Sequence, residues 1–162
     1  MYKKTIGLEV HVELNTNSKF FSSSLNNYNS LPNHNVNYID LAYPGTLPTL
    51  NKEAINQGIR AAILLNASIN KEMHFDRKNY FYPDSPKGYQ ITQMYQPIIG
   101  AGFVELPSGK KVRIEHAHLE GDAGKLTHFD NYSLVDLNRA DTPLIEIVSM
   151  PDIHSARDAH DY

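Results

Sequence analysis

The sequence predicts an α+β fold, mostly antiparallel sheet with one covering helix. Three observations carry that reading. Residues Ile6 to Leu14 alternate strictly between apolar and polar, the period of a half-buried strand. Residues 51–66 hold an apolar stripe at helical spacing. Short strand-like runs then recur from residue 89 to 148, punctuated by proline and glycine. At 162 residues, with 41% hydrophobic and 20% charged side chains, the chain is sized for one domain with a real core, residues 1–162. A net charge of −3 supplies no field that draws in nucleic acid, so any RNA contact must be local or made by residues outside this chain. There is no cysteine, which excludes disulfides and thiolate metal sites and fits a reducing compartment. Glu9, His11 and Glu13 interrupt the N-terminal segment where a signal peptide needs an apolar run, and no stretch approaches the roughly 18 apolar residues of a membrane span. A cytoplasmic protein with no membrane contact is expected.

In order along the chain, the first strand sets Ile6, Leu8, Val10, Val12 and Leu14 on one face and Glu9, His11 and Glu13 in a row on the other. Such a row can grip a cation or form the wet face of a sheet. Residues 15–37, rich in asparagine and serine without periodicity, read as a long loop with room for one short element, the kind that is either a functional lid or disordered. A short apolar run, Tyr38 to Tyr43, ends at the turn Pro44-Gly45-Thr46-Leu47-Pro48. The helix follows, with Asn51 as N-cap, Glu53 in its first turn, and Ala54, Ile55, Gly58, Ile59, Ala62 and Ile63 as the stripe that covers the sheet. Phe75 to Gln90 mixes Arg77, Lys78 and Lys87 with Tyr80, Tyr82 and Tyr89, a combination that can hold phosphate and stack on a base, or simply plug a core beside an exposed turn. Strands are expected near Tyr89 to Thr92, Gly102 to Leu106 and Lys111 to His118; in the last, simple alternation puts His116 and His118 on the same side as Val112 and Ile114. A final strand pair, Ser133 to Asn138 and Leu144 to Val148, is joined by residues 139–143, with Asp136, Asn138 and Glu146 facing one cavity. Ser155 and Asp158 begin a capped helix too short to stand alone, which suggests a fragment or a shortened reading frame.

The densest chemistry lies in His116-Ala117-His118-Leu119-Glu120-Gly121-Asp122-Ala123-Gly124-Lys125. It fails as a phosphate-binding P-loop, because Leu119 stands where the first glycine belongs and Leu126 follows the lysine. Histidines two apart on a strand do not make a zinc-protease helix, and no nucleophile elbow occurs. What remains is acids and imidazoles on strand faces, Glu9, His11, Glu13, Glu120, Asp122, Asp136 and Glu146, beside the cations Arg77, Lys78 and Lys87. That set suits metal-dependent phosphoryl transfer, with Mg²⁺ favoured by carboxylates and Mn²⁺ more tolerant of an imidazole.

Several blocks resemble one family closely. They are Gly7 to Leu14, the Pro44-Gly45-x-Leu47-Pro48-x-Leu50-Asn51 turn, Phe75 to Gln90, His118 to Lys125, Val135 to Arg139, and Pro143 to Val148. In order and over essentially the whole chain, they are similar to the GatB family of bacterial aspartyl/glutamyl-tRNA amidotransferase components. The resemblance implies part of a cradle-shaped catalytic domain related to glutamine synthetase, without the helical domain and tail that contact tRNA. It implies ATP- and Mg²⁺-dependent phosphorylation of Glu on tRNA(Gln) or Asp on tRNA(Asn), followed by attack of ammonia from the amidase subunit, GatA, in a heterotrimer with the small subunit, GatC. By the same resemblance Glu9, His11 and Glu120 would be catalytic and metal-binding. Arg77, Lys78, Tyr80, Tyr82 and Lys87 would line the nucleotide site or ammonia path, and Asp136, Asn138 and Arg139 would complete the wall. Phe21-Ser22-Ser23-Ser24 replaces the cysteine knuckle of some members, which implies no zinc. Three positions depart from the family pattern: Gly121 replaces an acid and leaves Lys87 without its expected partner, Asp141 stands where glycine is usual, and Met150 where glutamate is usual. A non-catalytic scaffold that still binds the amidase is therefore the alternative reading, and a stand-alone ligase acting on a small acid is a third.

Overall fold

The fold is described by a computed structural model covering residues 2–162. Its elements are β1 (Glu9–Glu13), α1 (Lys52–Leu64), β2 (Asp76–Asn79), β3 (Tyr89–Thr92), β4 (Gly102–Glu105), β5 (Lys111–Gly121), β6 (Lys125–His128), β7 (Ser133–Asp136), β8 (Pro143–Ser149) and α2 (Ala156–Asp161). A four-stranded antiparallel sheet in the order β1-β8-β5-β4 is flanked by two ribbons, β2-β3 and β6-β7. The α+β class holds. No helix is long and apolar enough to cross a membrane among the described residues.

β8 is not the hairpin partner of β7. It inserts between β1 and β5, while β7 pairs with β6, a strand too short for its periodicity to announce it. The strands expected at 6–14 and 111–118 also change length, the first shrinking to Glu9–Glu13 and the second running on to Gly121. Residues 38–43 form turns, with Ala42 in the left-handed region at φ 55°, so their apolar character does not report a strand.

The sidedness of β5 is the main correction. Ile114 pairs with Ser149 but His116 already pairs with Val148, so one extra residue is accommodated at Glu115. A single inserted residue exchanges the two faces of everything that follows. Val112, Ile114, Ala117 and Leu119 therefore share one face, and His116, His118 and Glu120 the other. Alternation alone places the histidines with Val112 and Ile114, on the wrong side.

The covered face packs under α1. Asn51 caps the helix by accepting from the Glu53 amide at 2.9 Å, and Ala54, Gly58 and Ala62 recur every four residues as its buried line. Small residues are needed there, since a Cβ on Gly58 would lie 3.2 Å from both Leu119 methyl carbons. Ile63, expected in the stripe, is exposed. Ala117, Leu119, Ile145, Phe20, Phe21 and Ile99 complete that core. A second, smaller cluster of Leu106, Val112 and Ile153 receives Ala159 and Tyr162 from the C-terminal end, which gives the short helix α2 its tertiary support.

The asparagine-rich segment is bound down by its own side chains. Asn33 donates to the Val135 carbonyl at 2.9 Å and accepts from the Leu137 amide at 2.8 Å, while the buried Asn138 donates to the Leu31 carbonyl at 2.8 Å and accepts from the Asn35 amide at 2.9 Å. Short polar side chains that bond backbone groups are suited to holding irregular chain in place of ladders.

Arg113 clamps Asp152 through two guanidinium bonds of 2.8 Å, and these bonds pull the Asp152 carboxyl down to about 2. A depressed carboxylate favours folding above its unfolded value, and that contribution is lost as pH falls from the ordinary value of 3.8 through about 2. Arg113→Ala is expected to return Asp152 to the ordinary carboxylate range in an NMR titration and to remove this low-pH component of stability.

Candidate functional site

The open face of the central sheet carries the site. Because strands in register place directly paired residues side by side, His11, Glu146 and His118 form one row across β1, β8 and β5, with Glu13, Leu144 and Glu120 the next. His11 Nε2 lies 3.1 Å from Glu120 Oε1 and 3.5 Å from Glu146 Oε2. His118 Nε2 lies 3.0 Å from Glu146 Oε2 and 3.5 Å from Glu120 Oε2. Thr92, arriving from β3, donates to Glu120 at 3.3 Å. The Nδ1 atom of His118 is buried without a hydrogen-bond partner.

Burial pushes the Glu120 carboxyl up, but the hydrogen bond from His118, the charges of His118 and His11 and the Thr92 hydroxyl outweigh it and hold the group below its usual value. Burial lowers His116, and His118, whose ring stacks on it at 5.5 Å, adds to that shift. Glu120 is thus kept as an anion, the form that binds a cation. His11, Glu120 and Glu146 each offer one ligand atom, all within 4.8 Å of one another. Two carboxylates and an imidazole fit a divalent cation such as Mn²⁺, or Mg²⁺ retaining waters. The trio has the spacing of a cation-binding group, and Glu9 lies on the same face one row away.

The trio opens into a cavity of about 600 Å³, a volume ordinary for a nucleotide-sized ligand. Glu9, His11 and Glu120 all line it, and so do Lys78, Tyr80 and Lys87. Other expected residues lie elsewhere. Arg77 points to the opposite side of the β2-β3 ribbon, its guanidinium 4.6 Å over the Tyr89 ring beside a separate apolar groove. Tyr82 stands exposed outside the cavity, 6.0 Å from the Tyr80 ring. Asp136 and Asn138 are not in the wall; Asp136 accepts from the Asn33 and Asn138 amides at 3.0 Å, and both residues staple the 27–37 segment. Arg139 acts indirectly, bonding Asp122 at 3.1 Å and the Ala123 and Gly124 carbonyls at 3.1 Å, which shapes the turn that ends β5. Burial raises the Asp122 carboxyl despite that guanidinium.

Two features of the wall are not legible in the sequence. Lys87 does have a partner, since its ammonium is bonded to Asp141. Asp40 also reaches the cavity wall, from a segment whose residues read only as an apolar run. It sits 3.5 Å from Lys19, which is wholly buried and donates to the Leu137 carbonyl at 3.0 Å. The signal for both is a charged residue within an otherwise apolar or turn context, which local pattern does not distinguish from a solvent-facing one.

The profile of the GatB/GatE catalytic domain matches residues 4–162 of this chain. The chain belongs to that family. It is 58% identical to the GatB component of the aspartyl/glutamyl-tRNA(Asn/Gln) amidotransferase of Streptococcus pyogenes serotype M5 (strain Manfredo), over 99% of this chain and 35% of the relative. The corresponding component in Streptococcus suis (strain 05ZYH33) is 57% identical over the same shares. The chain thus spans about a third of the length of the curated relatives it matches. Its alignment with the GatB/GatE catalytic domain takes in the whole of the acid-rich sheet face, from Glu9 to Glu146.

Proposed function

We propose that this chain forms the nucleotide- and metal-binding wall of an amidotransferase subunit that converts Glu on tRNA(Gln), or Asp on tRNA(Asn), to the amide. The observation that carries the reading is the His11, Glu120 and Glu146 trio at the wall of a cavity that also presents Lys78 and Lys87. Nearby Glu9, Glu13, Asp84 and Asp122 make the cavity strongly acidic. A triphosphate is repelled by such a wall unless divalent cations neutralise it. Mg²⁺ held by His11, Glu120 and Glu146 would offset charge on the transferring phosphoryl group. Lys78 and Tyr80, which line the same cavity, would orient phosphate oxygens. Activation by phosphate is required because a carboxylate is a poor electrophile, and ammonia from an amidase partner would then displace the phosphate.

Glu9 stands on the same face as the trio and would approach the metal or its waters. Recognition of tRNA would fall mainly to regions outside this chain, consistent with its net charge of −3. The cytoplasm, where translation substrates reside, is the proposed location.

The test uses the full-length protein assembled with its amidase and small partners. With ATP, Mg²⁺, glutamine and Glu-tRNA(Gln) or Asp-tRNA(Asn), ADP and amidated tRNA are expected together, and both should vanish when Mg²⁺ is chelated. Amide formation that continues without ATP would overturn the reading. ATP hydrolysis stimulated by free glutamate and indifferent to tRNA would instead indicate a stand-alone ligase.

A further inference from the structure

Gly121 and Asp141 lie twenty residues apart in sequence but meet in space. An ideal Cβ on Gly121 would lie 2.7 Å from Asp141 Oδ1, 3.3 Å from Asp141 Cα and 3.3 Å from Phe21 Cε2. Real Cβ atoms do not sit that close to an oxygen, so a side chain at 121 and the present carboxylate at 141 compete for one volume. Neither backbone can retreat freely. The Asp141 amide donates to the Asp122 carbonyl at 2.8 Å, its carbonyl accepts from the Phe20 amide at 2.8 Å, and the Gly121 carbonyl accepts from the Gln90 side chain at 3.0 Å.

The carboxylate at 141 is also held in a conformation that disfavours most side chains. Asp141 has φ 62°, in the left-handed region where glycine is at ease and aspartate is among the better-tolerated alternatives. Its side chain is 6% exposed and bonded to the ammonium of Lys87, itself 11% exposed. The buried pair Lys19 and Asp40 lies behind it, close enough for Lys19 to feel the charges of both Asp141 and Lys87.

We propose that Asp141 is the positioning residue for Lys87, and that Gly121 is glycine because the Asp141 carboxylate occupies the space its side chain would need. This rests on the reading of the cavity as the reaction site. The carboxylate that meets Lys87 at the cavity wall comes from the turn before β8, and the end of β5 leaves room for it only because residue 121 has no side chain. Held in this way, Lys87 is engaged in an ion pair, while Lys78, which is exposed, is the other ammonium lining the cavity.

The test is a reciprocal exchange in the full-length protein within its assembled complex, read by the rate at which an amine-acylating reagent labels Lys87, followed by mass spectrometry. Asp141→Gly is expected to speed labelling about tenfold, the factor that corresponds to loss of one charge-assisted hydrogen bond. Asp141→Asn, which keeps the shape and tolerates the left-handed backbone, should do the same and covers the case in which Asp141→Gly folds poorly. Gly121→Glu alone should lower the melting temperature through overcrowding. The double variant Gly121→Glu/Asp141→Gly should restore both the melting temperature and slow labelling of Lys87. Labelling that is unchanged in Asp141→Asn, or as fast in the double variant as in Asp141→Gly, overturns the proposal. No turnover is needed for this readout, so an inactive parent would count against the proposed function and leave the exchange to be judged on its own.

Discussion

Glu120→Gln is expected to abolish the Mg²⁺ or Mn²⁺ binding proposed for this site, with calorimetry as the measurement. The substitution keeps the volume of a side chain that is almost wholly buried, while removing the charge that two imidazoles and Thr92 stabilise. Loss of an outer-shell partner alone typically weakens a metal about 10–100-fold, so loss of a ligand should exceed that. Glu146→Gln should behave alike, because Glu146 Oε2 stands 3.5 Å from His11 and 3.0 Å from His118. Glu9→Ala should have the smaller effect, since Glu9 pairs with Val148 one row from the trio. Affinity should also fall in acid, where carboxylate and imidazole ligands take up protons. An unchanged affinity in Glu120→Gln would remove Glu120 from the cation site.

Asp40→Ala is expected to destabilise the fold by about 3–5 kcal/mol, the range for a buried ion pair that loses one member. Lys19 and Asp40 have wholly buried side chains, 3.5 Å apart. Asp40 also accepts from Ser22 at 2.7 Å and from the Asn37 amide at 2.9 Å, so its removal frees several donors as well as an ammonium. Burial already pushes Lys19 below the ordinary lysine range, against the opposing charges of Asp40 and Asp141. A lysine depressed in the folded state binds fewer protons there than in the unfolded state, so stability rises with pH as the unfolded value of 10.5 is approached. The loss in Asp40→Ala should accordingly shrink at alkaline pH in denaturant titrations. Lys19→Met in the same background should recover much of it at neutral pH, and a double variant no more stable than Asp40→Ala would contradict the assignment of the loss to a stranded charge.

Much of the local structure is legible in the sequence because its causes are local. Alternation marks β1, the Asn51 cap and the four-residue spacing of Ala54, Gly58 and Ala62 mark α1, and Ser155 marks the start of α2 by accepting from the Asp158 amide at 3.0 Å. The acidic row Glu9, His11 and Glu13 and the dense segment around Glu120 identify two of the strands that wall the cavity. Glu146 is expected from sequence as a cavity residue, but its place between His11 and His118 is not, because β8 reads along the chain as the partner of β7.

What sequence alone determined is the fold class, the family and the kinds of side chain available to the site, since periodicity, capping and residue chemistry are properties of neighbouring residues. Tertiary structure decided which of them meet. The extra residue at Glu115 turned His116, His118 and Glu120 away from α1 and onto the acidic face, and insertion of β8 between β1 and β5 closed the trio. It also decided that Asp136 and Asn138 hold a loop, and that Asp141 answers Lys87 across the space that Gly121 leaves open. Register and steric exclusion act between residues far apart in the chain, so no local pattern carries them.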